Sequence, residues 1–436
     1  MLFRSRVVRS YALARVASPM ALALVCFFVE HFLGLGRLTW VWPLTTAASV
    51  WFILRDWRVL RANWGVEAAY AAGFAWVLLW RLSFPDIIPS SEKIGDLAMV
   101  DSYLPGTALP PVDAWLPPYP FDMYYAFQQY AAALLGRIFS LSPGLTYNVA
   151  FCVLISLAIT AAAVFAYRTT RSALATTLLV VAFAAGGTGA SLPVRFMTAS
   201  PQLFSSMRFI GGTARADRVT TAFGHALAST AAQTEGPVLE LPSETFAYML
   251  SLGDYHPPLA GFLLLVVALL CMVLAEQDDG AWAAQAVLAA TPMVCAIANG
   301  WTLPLQAALV AMWVGYRLHD RRPPDWASLA GGFLLSAVLC QPFLARFASH
   351  AGDYGVSLQR VARGEHTPLV LGLVVLYPVI LAGLLPLLTL PRARWIWWLS
   401  LTWLGLLLFS EVFYIDDVYS GTFNRFNTTL KWGPWL

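Results

Sequence analysis

The chain has few charged residues and few polar stretches long enough to form a soluble domain. Only 12% of its 436 residues are charged, whereas soluble globular proteins carry about 25%. With 59% hydrophobic residues and a mean hydropathy of +0.65, the composition predicts an all-α membrane protein that crosses the bilayer many times. The net charge of +3 is too small for a surface that binds nucleic acid, so no such partner is expected.

Disulfide frameworks, metal-binding cysteines and nucleotide-binding loops are also missing from the pattern. Five cysteines lie in apolar runs without metal-type spacing, and they are predicted to be buried free thiols: Cys26, Cys152, Cys271, Cys295 and Cys340. There is no P-loop lysine motif, and GGTG at 186–189 falls in a predicted span, where glycines favour close helix packing. No internal repeat is visible, which weighs against a transporter built from inverted repeats.

Apolar stretches of span length recur along the whole chain. About 20 mostly apolar residues are needed to cross a bilayer. The first such stretch follows a basic N-terminus without a cleavage site, so it is predicted to be an uncleaved helix. Eleven stretches qualify, near 18–35, 38–54, 65–84, 145–167, 172–192, 257–275, 281–298, 301–317, 327–347, 368–389 and 394–413.

The distribution of arginine decides whether a twelfth apolar stretch, 122–140, also crosses. Cytoplasmic loops collect Lys and Arg, and the arginines before residue 16 place the N-terminus in the cytoplasm. If 122–140 crosses, Arg168 and Arg171 fall outside; if it lies along the outer surface, every later short basic loop falls inside. We therefore predict about eleven transmembrane helices, with 122–140 as an amphipathic surface helix in the first large outer loop.

This topology divides the chain into six segments. Three hold membrane helices and three lie on the outer face. In order they are the N-terminal transmembrane helices at 1–84, the outer loop at 85–144, a transmembrane hairpin at 145–192, a long outer segment at 193–256, a transmembrane bundle at 257–413 and an outer C-terminal segment at 414–436.

The outer loop at 85–144 gathers acidic residues among prolines and aromatics. Prolines restrict the backbone, so the loop is predicted to hold one shape. Asp96 follows Gly95 and precedes an apolar run, which predicts the start of a short helix. There it acts either as an N-cap or as part of an active site. In the first span, Glu30 and His31 either mark a proton path or bond to a neighbouring helix, and the helix contact is favoured.

Three further motifs lie on the predicted outer face. Asp254 and His256, in GDYHPP at 253–258, suit either a metal or phosphate site or an interfacial cap. NGW at 299–301 is a predicted turn, and the favoured interpretation of Trp301 is an interfacial anchor. In the tail, Arg425 and Lys431 stand outside against the positive-inside bias, where they either grip a phosphate or snorkel to the headgroups.

Taken in order, these motifs resemble those of the "YYY" membrane proteins, a family similar in layout to the GT-C superfamily of lipid-linked-sugar glycosyltransferases. The family patterns E-K-x-x-D-(aromatic)-A, P-P-x-D-P-W and N-Y-Y-Y resemble EKIGDLA at 92–98, PPVDAW at 110–115 and DMYY at 122–125. G-D-L-H-P-H resembles residues 253–258, with Glu244 as the upstream acid. N-x-W resembles 299–301, and R-x-N-T-x-F-K resembles RFNTTLK at 425–431.

The resemblance implies a GT-C-like fold, a function and a site. Asp96 is implied as the single general base of an inverting glycosyltransferase on the outer (periplasmic) face of the bacterial inner membrane. The implied partners are a polyprenyl-phosphate-linked sugar donor, membrane lipids and an acceptor glycan, protein or lipid. A divalent cation, Mg²⁺ or Mn²⁺, is a further expectation, with Asp96, Asp254 and His256 as candidate ligands. The implied substrate-binding residues are Asp113, Glu244, Asp254, His256, Asn299, Trp301, Arg425, Asn427 and Lys431.

Departures from the family patterns keep two other classes of protein open. N-Y-Y-Y is DMYY here, and the last His of G-D-L-H-P-H is Pro258, so a non-catalytic scaffold of envelope polysaccharide assembly is one alternative. The other is a transporter or flippase of a lipid-linked or anionic substrate, although the spans offer few polar residues beyond Glu30, His31 and Gln341 to line its path. Family members continue beyond Leu436, so a fragment or a chain without the C-terminal bundle is expected.

Overall fold

The computed structural model forms two compact units. Unit 1 comprises Met1–Val180, Leu250–Gly300 and Pro324–Ser349, and unit 2 comprises Val181–Met249, Trp301–Pro323 and His350–Leu436. The residues that the structure describes are 2–87, 92–113, 115–122, 124–186, 209–212, 240–242, 244–278, 281–351, 357–362, 366, 373, 380–387, 394–416 and 426–436.

Helices dominate the described residues. The first seven are α1 (Leu2–Glu30), α2 (Val41–Ala62), α3 (Trp64–Ser83), α4 (Lys93–Tyr103), α5 (Phe127–Phe139), α6 (Pro143–Thr170) and α7 (Ala173–Ala185). Those that follow are α8 (Phe246–Leu252), α9 (Pro258–Gln277), α10 (Trp282–Ala298), α11 (Leu303–His319), α12 (Trp326–Ala351), α13 (Arg394–Val412) and α14 (Phe426–Trp435).

Helix α9 forms the centre of unit 1. Every residue from Pro258 to Ala275 is buried, which requires packing on all sides of the helix. Helices α6 and α10 pack along α9, α3 packs along α6, and α1 contacts α5, α6 and α9. Pro143 and Pro258 stand in the first turns of α6 and α9, where the fixed φ of proline suits a helix and its missing N–H needs no partner.

Unit 2 combines helices with two small antiparallel ribbons. Strand β1 (Phe209–Gly212) pairs with β2 (Glu240–Pro242), and β3 (Ser357–Arg360) pairs with β4 (Phe413–Asp416). Helix α11 packs along α13, and α14 contacts β2, β4 and α13. These short strands are additions to the predicted all-α architecture.

A multi-pass helical membrane protein is confirmed, but the count of eleven spans is not. Among the described residues five helices are long and apolar enough to cross a membrane: Tyr11–Glu30, Pro143–Thr170, Pro258–Gln277, Trp326–Ser349 and Arg394–Val412. Shorter apolar helices occupy Ala173–Ala185 and Trp282–Ala298. The spans predicted at 38–54 and 65–84 coincide with α2 and α3, while most of 368–389 lies outside the described residues.

Helix α5 stands where the amphipathic surface helix was predicted. Its 13 residues extend about 20 Å, less than the roughly 30 Å hydrocarbon core, so α5 is too short to cross. It begins only at Phe127 and is buried over most of its length, including Gln128, Gln129 and Arg137. The predicted surface helix is therefore packed inside unit 1, because its polar side chains find partners there.

A buried ion pair ties α1 to α5. Arg137 donates to Glu30 through Nη1 at 3.0 Å and Nη2 at 2.5 Å, and each side chain is only 1% exposed. Arg137 Nε also donates to Gly36 O at 2.8 Å, and the N–H of Leu35 donates to Glu30 Oε1 at 3.1 Å. Of the two interpretations of Glu30, the helix contact is the one found.

Candidate active site

Helix α4 turns one row of side chains into unit 1. Lys93, Asp96, Val100 and Tyr103 are buried, with the spacing of one helix face. The N-cap position belongs to Glu92, whose side chain makes no capping bond. Asp96 lies within the first turn and is 1% exposed. The N-cap interpretation of Asp96 is therefore wrong, because its carboxylate faces the interior of the unit.

Two buried side chains hold the Asp96 carboxylate. Gln129 Nε2 donates to Asp96 Oδ1 at 2.7 Å, and His256 Nδ1 lies 3.3 Å from Oδ2. The same Nδ1 lies 3.1 Å from Oε2 of Glu92, whose side chain is 70% exposed. Since two carboxylates face this nitrogen, we assign it a proton that it donates.

The buried position changes the acidity of Asp96. Burial raises the pKa of this carboxyl above its ordinary value, because the charged form loses its water. The hydrogen bond and charge of His256 and the hydrogen bond from Gln129 oppose that shift, while the charge of Glu92 adds to it. A carboxylate with a raised pKa, held by fixed donors, is suited to accept a proton from a substrate.

The backbone that carries His256 is fixed from two sides. Gly253 has φ +66°, and a Cβ at this position would collide with the guanidinium of Arg81. Arg81 Nε donates to Asn148 Oδ1 at 2.7 Å, and the N–H of Tyr255 donates to the Tyr147 hydroxyl at 2.8 Å. GDYHPP is therefore a shaped turn against α3 and α6, which the sequence showed only as a motif.

Sequence reasoning missed the two adjacent glutamines of α5. Gln128 Nε2 donates to the carbonyls of Tyr255 and His256 at 3.0 and 3.1 Å, and its Oε1 accepts the N–H of Ala260 at 2.8 Å. Gln129, the next residue, holds Asp96. The signal available was an amide pair inside an otherwise apolar helix, since buried amides need partners.

An aliphatic cavity of about 190 Å³ lies in unit 1 beside this cluster. Its walls come from α1, α5, α6, α9 and α10 and are almost wholly aliphatic or aromatic. Asp96, Gln129 and His256 do not line it, but Gln128, which does, donates to the backbone carbonyl of His256. The arrangement offers space for hydrocarbon next to an acid–base pair.

Two other predicted residues of unit 1 have local roles. Asp113 Oδ1 accepts the N–H groups of Trp115 and Leu116 at 2.8 and 3.2 Å, so it holds its own turn. Its N–H donates to Tyr119 O at 2.8 Å, within the same hairpin. Asn299 is buried at the C-terminal end of α10. Neither is brought to the Asp96 carboxylate.

Two of the predicted site residues, Glu244 and Lys431 of the tail, contact each other in unit 2. Lys431 Nζ donates to Glu244 Oε2 at 2.6 Å, and Trp432 Nε1 donates to Trp301 O at 2.7 Å. Asn427 is half-buried at the start of α14, and Arg425 lies outside the described residues. The phosphate-binding role of these residues stays a prediction, as does the pairing of the tail with Asp96.

The residues present do not fit the expected divalent cation. In the described part of the chain, no group of three or more His, Cys, Asp and Glu side chains is arranged to hold a metal ion. Of the candidate ligands, His256 turns Nδ1 toward the carboxylates of Asp96 and Glu92 as a donor, which leaves it no lone pair there for a cation. No chemical step below passes through a metal.

The fold and the cluster define a multi-pass helical membrane protein with a buried Asp96–His256 contact. A family model described as "Uncharacterized membrane protein (DUF2298)" matches residues 21–390, more than half of the chain. The protein therefore belongs to this family of membrane proteins. No curated protein and no solved structure matches it.

Proposed function

We propose that the protein is an inverting glycosyltransferase that takes a sugar from a polyprenyl-phosphate-linked donor at the outer face of the membrane. The observation that carries the proposal is the Asp96–His256 pair, buried in unit 1 beside an aliphatic cavity. A lipid-linked donor brings its own membrane anchor. The short predicted cytoplasmic connections, which leave no room for a nucleotide-binding domain, agree with such a donor.

One displacement accounts for the reaction. The oxygen of an acceptor hydroxyl forms a bond to the anomeric carbon while its proton passes to the Asp96–His256 pair. The bond from that carbon to the phosphate oxygen breaks, and its electron pair leaves with the polyprenyl phosphate or diphosphate. Attack and departure occur on opposite faces, so the configuration inverts and no covalent intermediate forms.

Access to the pair depends on Glu92. Asp96 and His256 are 1% and 3% exposed, so an acceptor hydroxyl reaches them only when a covering group moves aside. Glu92 contacts His256 through an exposed side chain at the start of α4. Displacement of Glu92 by the acceptor would open His256 Nδ1 and Asp96 Oδ2 together.

The surroundings support a donor anchored in the membrane. An isoprenoid chain lies in hydrocarbon in the membrane, and the aliphatic cavity offers a surface of the same kind. The arginine distribution supports a cytoplasmic N-terminus and an active site on the periplasmic side of the bacterial inner membrane. A transport path through Glu30 is not favoured, because Arg137 neutralises that carboxylate.

The test compares two aspartates of α4. Asp96→Asn removes the base and is expected to abolish transfer, while the matched Asp101→Asn, an exposed position on the same helix, is expected to retain it. Purified variants in lipid nanodiscs would receive polyprenyl-phosphate-linked sugars and a cell-envelope fraction as the source of acceptor. Released polyprenyl phosphate would be measured by mass spectrometry. Full activity of Asp96→Asn would refute the assignment of the base.

A second comparison asks whether Asp96 and His256 act together. His256→Gln alone and the double variant with Asp96→Asn should lose similar amounts of activity, because groups that act as a unit are strongly non-additive. Multiplicative losses would show two independent contributions instead. Thermal unfolding of each variant, read from tryptophan fluorescence, controls for loss of the fold.

A further inference from the structure

The departing phosphate of such a reaction needs a cation, and lysine is rare in this chain. Among 27 Lys and Arg residues only two are lysines, Lys93 and Lys431. Both are buried, at 5% and 6% exposure. Because an ammonium is strongly hydrated, its burial is unfavourable unless something compensates the lost water. Each of the two lysines therefore needs groups nearby that balance its charge.

The two lysine side chains have different surroundings. Lys431 forms an ion pair with Glu244 at 2.6 Å. Lys93 makes no hydrogen bond and no ion pair with any residue that the structure describes. No contact among the described residues balances the charge of Lys93, so an anionic ligand could provide that contact.

The charges around Lys93 come from three elements. Asp254 in the turn before α9 and Asp86 after α3 attract its ammonium without contacting it, and Arg81 repels it. Burial, the larger effect, lowers the pKa of Lys93, and the two carboxylates oppose that shift. Arg81 offers little to a ligand, since Nε and Nη2 donate to Asn148 and Pro85.

Helix geometry places Lys93 beside the proposed base. Lys93 and Asp96 are three residues apart on the buried face of α4, which separates them by about 4.5 Å along the helix axis. A reaction at an anomeric carbon needs a base on one side and a phosphate on the other. The face of α4 presents an acceptor of protons and a donor to phosphate at that spacing.

We propose that Lys93 binds the phosphate group of the lipid-linked donor, on the proposed function given above. Its three N–H donors meet the phosphate oxygens and neutralise the charge that develops as the bond to the sugar breaks. This role differs from that of Lys431, whose charge Glu244 already balances. The phosphate-binding cation of the site then comes from the same helix as the base.

The scarcity of lysine makes a direct test possible. Full-length protein in lipid nanodiscs would be treated with isotope-labelled formaldehyde and a borane reductant, and dimethylation of Lys93 and Lys431 would be followed by peptide mass spectrometry. Three additions are compared, a polyprenyl phosphate, the uncharged polyprenol of equal length and inorganic phosphate. At about ten times the dissociation constant only about one site in eleven stays free, so labelling of Lys93 should slow about tenfold.

The expected pattern is specific. Polyprenyl phosphate should protect Lys93 at a lower concentration than inorganic phosphate, and polyprenol should not protect it. Lys431 serves as the internal control and should be unaffected by all three. The proposal would be overturned if polyprenol protected Lys93, or if none of the three additions did. If only inorganic phosphate protected it, the assignment of the site to a lipid phosphate would be overturned.

A variant measures the same contact in another way. Lys93→Met keeps the length and removes the charge, and its affinity for polyprenyl phosphate should fall about ten- to hundredfold. Unchanged affinity would refute the contact. Because labelling needs no turnover, the outcomes separate from those of the proposed function. If Lys93 is protected but the Asp96→Asn variant is fully active, only the assignment of the base is refuted. If the Asp96→Asn variant is inactive but Lys93 is not protected, only the phosphate site is refuted.

Discussion

The Glu30–Arg137 pair allows a quantitative test of the scaffold beneath the site. Both side chains are 1% exposed, and two N–H groups of Arg137 meet the two oxygens of Glu30. Removal of one partner leaves the other charge buried without compensation, which costs about 3–5 kcal/mol. We therefore expect Glu30→Leu and Arg137→Met each to lower the free energy of unfolding by that amount.

The double variant separates charge from shape. Glu30→Leu with Arg137→Met leaves no buried charge, although Leu35 N and Gly36 O lose their side-chain partners. Each such backbone group costs about 1–3 kcal/mol when it stays unsatisfied. The two single variants together cost about 6–10 kcal/mol and the double variant about 2–6 kcal/mol, so the double variant should be destabilised by about 4 kcal/mol less than the sum.

The assay is reversible unfolding in mixed micelles, with tryptophan fluorescence as the readout. The matched control is the exposed pair of Arg394 and Asp320, whose Nη1 and Oδ1 lie 3.1 Å apart with side chains 72% and 22% exposed. Asp320→Asn should change the free energy of unfolding by less than about 1 kcal/mol. If the buried single variants cost no more than this control, or if the double variant costs the full sum, the reasoning is refuted.

Two further predictions concern the turn and the base. Gly253→Ala combines φ +66° with a collision against Arg81, so it should lower both the melting temperature and the activity. Gly315→Ala should lower neither, because a Cβ inside α11 would meet only Trp398, at an ordinary contact distance of 3.8 Å. Equal melting temperatures of the two variants would contradict this. Because the pKa of Asp96 is raised, kcat/KM should fall on the acid side at a pH above the ordinary pKa of an aspartate. Gln129→Leu removes a hydrogen-bond donor to the charged form, so it should move this acid limb to still higher pH. Because the folded pKa is raised, the stability that Asp96 contributes is present below its unfolded pKa and is lost as pH rises through the folded pKa, which a melting curve against pH would detect.

The sequence predicted the helical membrane class, since hydropathy and length suffice for that. It also singled out Asp96 and His256 as candidate site residues, and the structure brings their side chains together. The topology near them was harder to predict. The arginine distribution predicted a surface helix at 122–140, and only packing shows that Gln128, Gln129 and Arg137 bond to the turn of His256, to Asp96 and to Glu30.

The sequence also could not predict which charged residues pair with each other. Lys431 looked available because a sequence shows charges without their partners, and Glu244, 187 residues away, is its partner in the structure. The sequence also does not show that the carboxylate of Asp113 accepts the N–H of Trp115 in its own turn; its role in substrate binding stays a prediction. Long-range pairs of this kind depend on how segments fold back on each other, which neither spacing nor hydropathy records.

Four buried charged residues of unit 1 differ in how they are compensated. Glu30 and Arg137 satisfy each other and nearby backbone groups, so they fix the position of α5. Asp96 is held by side chains that are themselves positioned by α5, and Lys93 has attraction without contact. Complete compensation is what a scaffold requires, whereas a group that handles protons or anions must keep part of its capacity for a ligand. Asp96 and Lys93 lie on the same buried face of α4, and that is why the proposed chemistry is placed there.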